Sequence, residues 1–136
     1  MDKYKVILVD DEAEVIDVIE QKIAWNELGF EVVGSATNGV KALELVEKTQ
    51  PDVVITDIKM PYMDGLELSK RLNDDYRNIH IIIFTGFDEF EYAKEAVHLE
   101  VEEYMLKPIN SDELTECLKR VKNSLDLERE EKLNVQ

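Results

Sequence analysis

Asp10, Asp11, Asp57, Thr85 and Lys107 each stand where a β-prone run stops, and their side chains could together handle a phosphoryl group or a cation. Val53-Val54-Ile55-Thr56 is a short run with no polar alternation, the pattern of a strand covered on both faces. It ends on Asp57, and Pro61 stops the chain from extending it. Tyr4 to Val9 ends on Asp10, Asp11 and Glu12. His80 to Thr85 ends on a hydroxyl followed by Gly86, and Glu103 to Leu106 is closed by Lys107-Pro108. Groups at the carboxyl ends of strands line the ligand crevice of open α/β sheets. Asp57 alone reads more readily as a turn or cap residue than as a reacting group. The set is a sharper signal than any member of it.

Acids gathered at one crevice cannot all stay ionised without a counter-charge. A hard divalent cation such as Mg²⁺ answers this, because it takes oxygen ligands and keeps several waters. A carboxylate can also attack phosphorus and form an aspartyl-phosphate. Phosphoryl transfer then needs positioning and positive charge around the equatorial oxygens, which Mg²⁺, Lys107 and the Thr85 hydroxyl would supply.

The elements that must position these groups alternate along the chain. After the first strand, Val15, Ile16, Ile19 and Ile23 recur at helical spacing up to about Trp25, and Gly29 marks the stop. A second strand covers Glu31 to Ala36, with Gly34 weakening its middle. A helix follows from about Asn38 to Lys48, and Pro51 closes it before the strand that carries Asp57. Asp64-Gly65 is a turn signal, and Leu68 and Leu72 lie on a helix ending in Asn73-Asp74-Asp75. Phe90, Ala93 and Val97 give one face of a further helix. Asn110 and Glu113 have capping-box spacing for the last helix, whose buried seam is Leu114, Leu118, Val121 and Leu125. The run Glu128-Arg129-Glu130-Glu131-Lys132 then reads as a solvated helical end or the start of a linker. His80 and His98 read as solvent-facing, and Trp25 and Cys117 as packing.

Five strands alternating with five helices make a doubly wound α/β sheet in a three-layer sandwich the economical fold. Order 2-1-3-4-5 puts the switch point between the first and third strands and brings Asp10, Asp11 and Asp57 to one crevice. The length of 136 residues fits one domain. A net charge of −15, with 31 acidic against 16 basic residues, argues against this chain gripping a phosphate backbone by itself. No apolar run approaches a membrane span, the N-terminus lacks a signal-peptide pattern, and a single cysteine suits a reducing cytoplasm.

The set Asp10-Asp11, Asp57 with Met60-Pro61 and Asp64-Gly65, Thr85-Gly86, Tyr104 and Lys107-Pro108 resembles the receiver domain of two-component response regulators. The resemblance runs over about residues 4–125 and implies the flavodoxin-like (βα)5 fold. It implies Asp57 as phosphoacceptor, with Mg²⁺ held by Asp10, Asp11, Asp57 and the backbone carbonyl of Lys59. Thr85 and Lys107 would be the phosphoryl-binding pair, with a cis bond at Lys107-Pro108. Tyr104 would be the switch aromatic, although a tyrosine there also suits simple packing. A sensor histidine kinase would be the donor. The output face would combine helix 90–97, the fifth strand and the last helix, and would meet an output domain, a second receiver or, on phosphorylation, another copy of the chain.

The segments 25–34 and 86–96 are similar to receivers that precede an AraC-type DNA-binding domain. Residues 1–125 are then expected to be the receiver, and 126–136 a charged helical extension or the start of a linker to such a domain. A stand-alone receiver acting by protein contact is the alternative. The resemblance implies a signalling module that assists only its own phosphorylation and dephosphorylation. A haloacid-dehalogenase-like phosphatase would need a second Asp where Lys59 stands, and a flavin module would not place acids after the first strand.

Overall fold

Apolar runs without polar alternation need cover on both sides, and each core strand here receives it. The computed structural model describes residues 3–76, 78–86 and 102–134. Strand β1 is Tyr4–Val9, followed by helices α1 (Ala13–Lys22) and α2 (Trp25–Leu28) and strand β2 (Phe30–Ala36). Helix α3 (Gly39–Thr49), β3 (Val53–Asp57), α4 (Gly65–Asp75) and β4 (His80–Thr85) come next. Strand β5 (Glu103–Leu106) and helix α5 (Ser111–Asn134) complete the described elements. The helix expected around Phe90, Ala93 and Val97, with Phe87, His98 and most of segment 86–96, lies outside the described residues.

The strands form one sheet in the order β2-β1-β3-β4-β5, parallel at every pairing. Side chains alternate between two cores. Val53 and Ile55 join Leu8, Phe84, Leu114, Leu118 and Val121 on the side of α1, α2 and α5. Val54 joins Ile7, Ile83, Val46, Leu68 and Leu72 on the side of α3 and α4. Both faces of β3 are therefore dry, and all five of its residues are buried. Gly34 marks an irregularity rather than an end. The β1–β2 register jumps from Val6↔Val32 to Ile7↔Gly34, so Val33 is the extra residue of a bulge.

Three local departures from the sequence reading have physical causes. The first helix stops at Lys22, because Ile23 turns extended (φ −100, ψ 135) and Trp25–Leu28 forms its own short helix. Ile23 stays buried through the break, so the apolar spacing continues where the helix does not. Gly29 then caps α2 in the left-handed region (φ 91).

The second departure is His80, which does not face solvent. Its side chain is only 9% exposed, with Nδ1 against Glu102 and Nε2 3.0 Å from Glu128.

The third concerns the charged run, which continues α5 as a helical end, one of the two expected forms, but packs its first residues back on the domain instead of leaving them solvated. The Tyr4 hydroxyl donates to Asp126 Oδ1 at 2.5 Å, and the Arg129 guanidinium lies 4.6 Å above the Tyr4 ring. Trp25 and Cys117 are buried, as packing residues should be. Among the described residues, no helix is long and apolar enough to cross a membrane.

Candidate functional site

Parallel register assembles the site. Val9 is paired with Thr56, so Asp10 follows beside Asp57. Asp57 is paired with Phe84, which puts Thr85 one step beyond, and Thr85 is paired with Leu106, immediately before Lys107. Four strand ends thus present Asp10, Asp57, Thr85 and Lys107 along one edge.

Lys107 ties the edge together. Its ammonium is 3.1 Å from Asp10 Oδ2 and 3.1 Å from Asp57 Oδ2. Burial alone would lower the Lys107 pKa, but Asp57 and Asp10 together outweigh it and hold the ammonium above the usual lysine range. The Lys107 amide also donates to the Thr85 carbonyl at 2.9 Å, and the Lys107-Pro108 peptide is cis.

Asp10 and Asp57 are nearly inaccessible, at 2% and 5% exposure. Burial pushes the Asp10 carboxyl above the usual carboxylate range and Asp57 adds to it, while the Glu12 amide (2.8 Å) and Lys107 pull back only in part. Asp57 accepts from the Ile58 amide at 2.8 Å. Thr85 is fully buried, and its hydroxyl donates to the Gly86 carbonyl at 3.1 Å.

The loop after β3 is held close. The Gly65 amide donates to the Ile58 carbonyl at 2.6 Å, and a Cβ on Gly65 would lie 2.2 Å from the Asp57 carbonyl oxygen. Only glycine fits there, and the loop must return directly under the strand end that carries Asp57. Asp64 caps α4 by accepting from the Glu67 amide at 2.8 Å.

The carboxylate oxygens of Asp10, Asp11 and Glu12 come within 4.8 Å of one another. Glu12 was legible as one of three consecutive acids, but nothing in the sequence singled it out as part of the cluster. Asp11 and Lys59, with Met60 and Asp64, line an open pocket of about 390 Å³ beside these acids. One ammonium faces the two buried carboxylates while Asp11 and Glu12 add two further negative charges, and every donor is oxygen. That set suits a hard divalent cation. Tyr104 lies apart from this edge on β5, paired with Ile83 and 38% exposed, with burial raising its pKa.

A doubly wound parallel sheet with acids, a hydroxyl and a lysine at adjoining strand ends is the architecture of a signalling receiver rather than of a nucleotide or flavin carrier. Residues 6–119 match the family model described as response regulator receiver domain, and the chain belongs to that family. It is 43% identical over 118 residues to the transcriptional regulatory protein YesN of Bacillus subtilis (87% of this chain, 32% of YesN). It is 37% identical over 123 residues to the transcriptional regulatory protein HptR of Staphylococcus aureus (90% of this chain, 48% of HptR). The chain thus spans a third to a half of the length of these curated relatives. Its fold is similar to the receiver domain of AraT, a response regulator from Geobacillus stearothermophilus (TM-score 0.89, 44% identity, 93% of this chain and 98% of that one). It is also similar to a two-component transcriptional regulator AraC from Clostridium phytofermentans (TM-score 0.86, 30% identity, 93% and 98%).

Proposed function

We propose that this chain is the phosphoacceptor module of a two-component transcription regulator, with Asp57 as the residue that takes the phosphoryl group. The observation that carries the reading is Lys107, placed 3.1 Å from both buried carboxylates at the crevice. An Asp57 carboxylate oxygen forms a bond to phosphorus as the donor's bond to phosphorus breaks, and the leaving group departs with the electron pair. The donor is a phosphohistidine of a sensor kinase or a small acyl phosphate. Lys107 pairs with Asp57 at rest and turns to the phosphoryl oxygens afterwards. Thr85 gives up its donation to the Gly86 carbonyl and donates to those oxygens instead.

Asp10, Asp11, Asp57 and the Lys59 carbonyl would hold Mg²⁺, and Glu12 lies close enough to Asp10 and Asp11 to take part through water. When bound there, Mg²⁺ would supply positive charge that offsets the charge on the phosphoryl oxygens. Asp10 orients the β1–α1 turn by accepting from the Glu12 amide, which fixes Asp11 at the pocket rim.

Movement of Thr85 would vacate space for Tyr104 to fill, and β5 with α5 would carry the change to an AraC-type DNA-binding domain, a second receiver or another copy of the chain. The acidic chain would act in the cytoplasm and would not bind DNA or membrane by itself. Intact-mass measurement with acetyl phosphate and Mg²⁺ tests the reading. One added phosphoryl group is expected in the wild type and none in Asp57→Asn. Equal labelling of the two, or labelling indifferent to EDTA, sinks it.

A further inference from the structure

Tyr62 is held in a backbone conformation that suits glycine, and its ring has no hydrogen-bond or ring partner among the described residues. Its φ is +70, and the Met63 amide donates across it to the Pro61 carbonyl at 2.8 Å. That is the rare γ-turn with positive φ, a strained arrangement for an L side chain. Its neighbours enforce it. Met63 is buried, and its carbonyl accepts from the Gly39 amide at 3.2 Å. A Cβ on Gly39 would come 2.6 Å from Met63 Cγ, and Gly65 is pressed against the Asp57 carbonyl. The chain thus has glycine at both close approaches flanking this loop, yet tyrosine at the position where the backbone itself favours glycine.

Nothing among the described residues accounts for that choice. Among the described residues Tyr62 is the most exposed large apolar side chain, at 90%, and takes no hydrogen bond or ring partner. It stands between Met60 and Asp64, which line the open pocket beside the acids together with Asp11 and Lys59. Asp57 is 5% exposed, so a macromolecular donor has to close over this rim to deliver its phosphoryl group. A small donor can pass inside it. Tyrosine combines large contact area with a polar tip and is enriched among the anchors of protein interfaces.

We infer that Tyr62 is a recognition residue for the protein that donates phosphoryl from histidine, contacting that partner outside the reacting atoms. The inference rests on the reading of Asp57 as phosphoacceptor. Its test compares two donors on wild type, Tyr62→Asn and Tyr62→Phe. One donor is acetyl phosphate. The other is the autophosphorylated histidine kinase of the same organism that labels the wild type fastest.

Tyr62→Asn should keep or raise the thermal midpoint, because asparagine tolerates positive φ. It should label with acetyl phosphate within twofold of wild type, yet accept phosphoryl from the kinase at least tenfold more slowly, chiefly through KM. Tyr62→Phe should retain most kinase transfer. Unchanged kinase transfer in Tyr62→Asn overturns the inference, as does an equal loss with both donors, which would make Tyr62 a positioning residue for Asp57. A change in self-association with kinase transfer intact would assign the ring to a second copy, and also overturns it. Failure of the wild type to take phosphoryl from either donor defeats the phosphoacceptor reading itself.

Discussion

Removing residues 126–136 should destabilise the receiver substantially, because the charged end of α5 locks onto the edge of the sheet opposite Asp57. A stop after Leu125 deletes Asp126, Glu128 and Arg129. The largest loss is the hydrogen bond from the buried Tyr4 hydroxyl to Asp126, since bonds to charged groups contribute about 1.5–3 kcal/mol. The Arg129 guanidinium above the Tyr4 ring adds about 0.5–1 kcal/mol. The His80–Glu128 pair, with Glu128 half exposed, adds about 0–1 kcal/mol. These contacts share residues and do not sum fully, so about 3 kcal/mol is the expected cost. For a domain of this size that corresponds to a fall of about 10 °C in Tm. Calorimetry of the two lengths, followed by a Tyr4→Phe/Asp126→Asn double-mutant cycle, measures it. A truncated protein melting within about 1 °C of the full chain would refute the reasoning and make residues 126–134 a solvated linker.

Four further outcomes follow from the same geometry. Gly65→Ala should cost about 3 kcal/mol or more in urea unfolding and should slow Asp57 labelling, because its Cβ meets backbone that cannot yield. Gly34→Ala, whose nearest neighbour is the flexible Leu45 side chain, should cost about 1 kcal/mol or less. Asp10→Asn should raise the Tm of the metal-free domain and lose the increment that Mg²⁺ adds. The raised carboxyl means the fold favours the protonated form, so the ionised group lowers stability as pH rises above 3.8, and asparagine lacks that loss. Burial and Asp126 push the Tyr4 phenol from 10.0 up to about 12. Its contribution is therefore complete below pH 10 and disappears as pH rises through 12, so the stability gap between wild type and Tyr4→Phe should close across that window.

Much of this was legible in the sequence, because the decisive features are local. His80–Thr85 and Val53–Asp57 are recognisable as doubly covered strands from composition alone, and their last residues fall at the crevice by necessity. Asn110 was readable as a cap, and its side chain accepts from the Glu113 amide at 3.0 Å. What was not legible depends on distant partners. Tyr4 meets Asp126 across 122 residues, and His80 meets Glu128 across 48, so neither pairing leaves a spacing signal. The break at Ile23 was hidden because burial continues through it. The strain at Tyr62 comes from how tightly Met63 and Gly65 are packed, which no pattern of residue types reveals.

Locating the acyl phosphate tests the central claim most directly. After incubation with acetyl phosphate and Mg²⁺, borohydride reduction converts a phosphorylated aspartate to homoserine, and peptide mapping finds the position. Homoserine at position 57 alone, abolished by EDTA, is the outcome this account requires. Homoserine at position 10 or 11, or a labelled protein with position 57 unmodified, would contradict it.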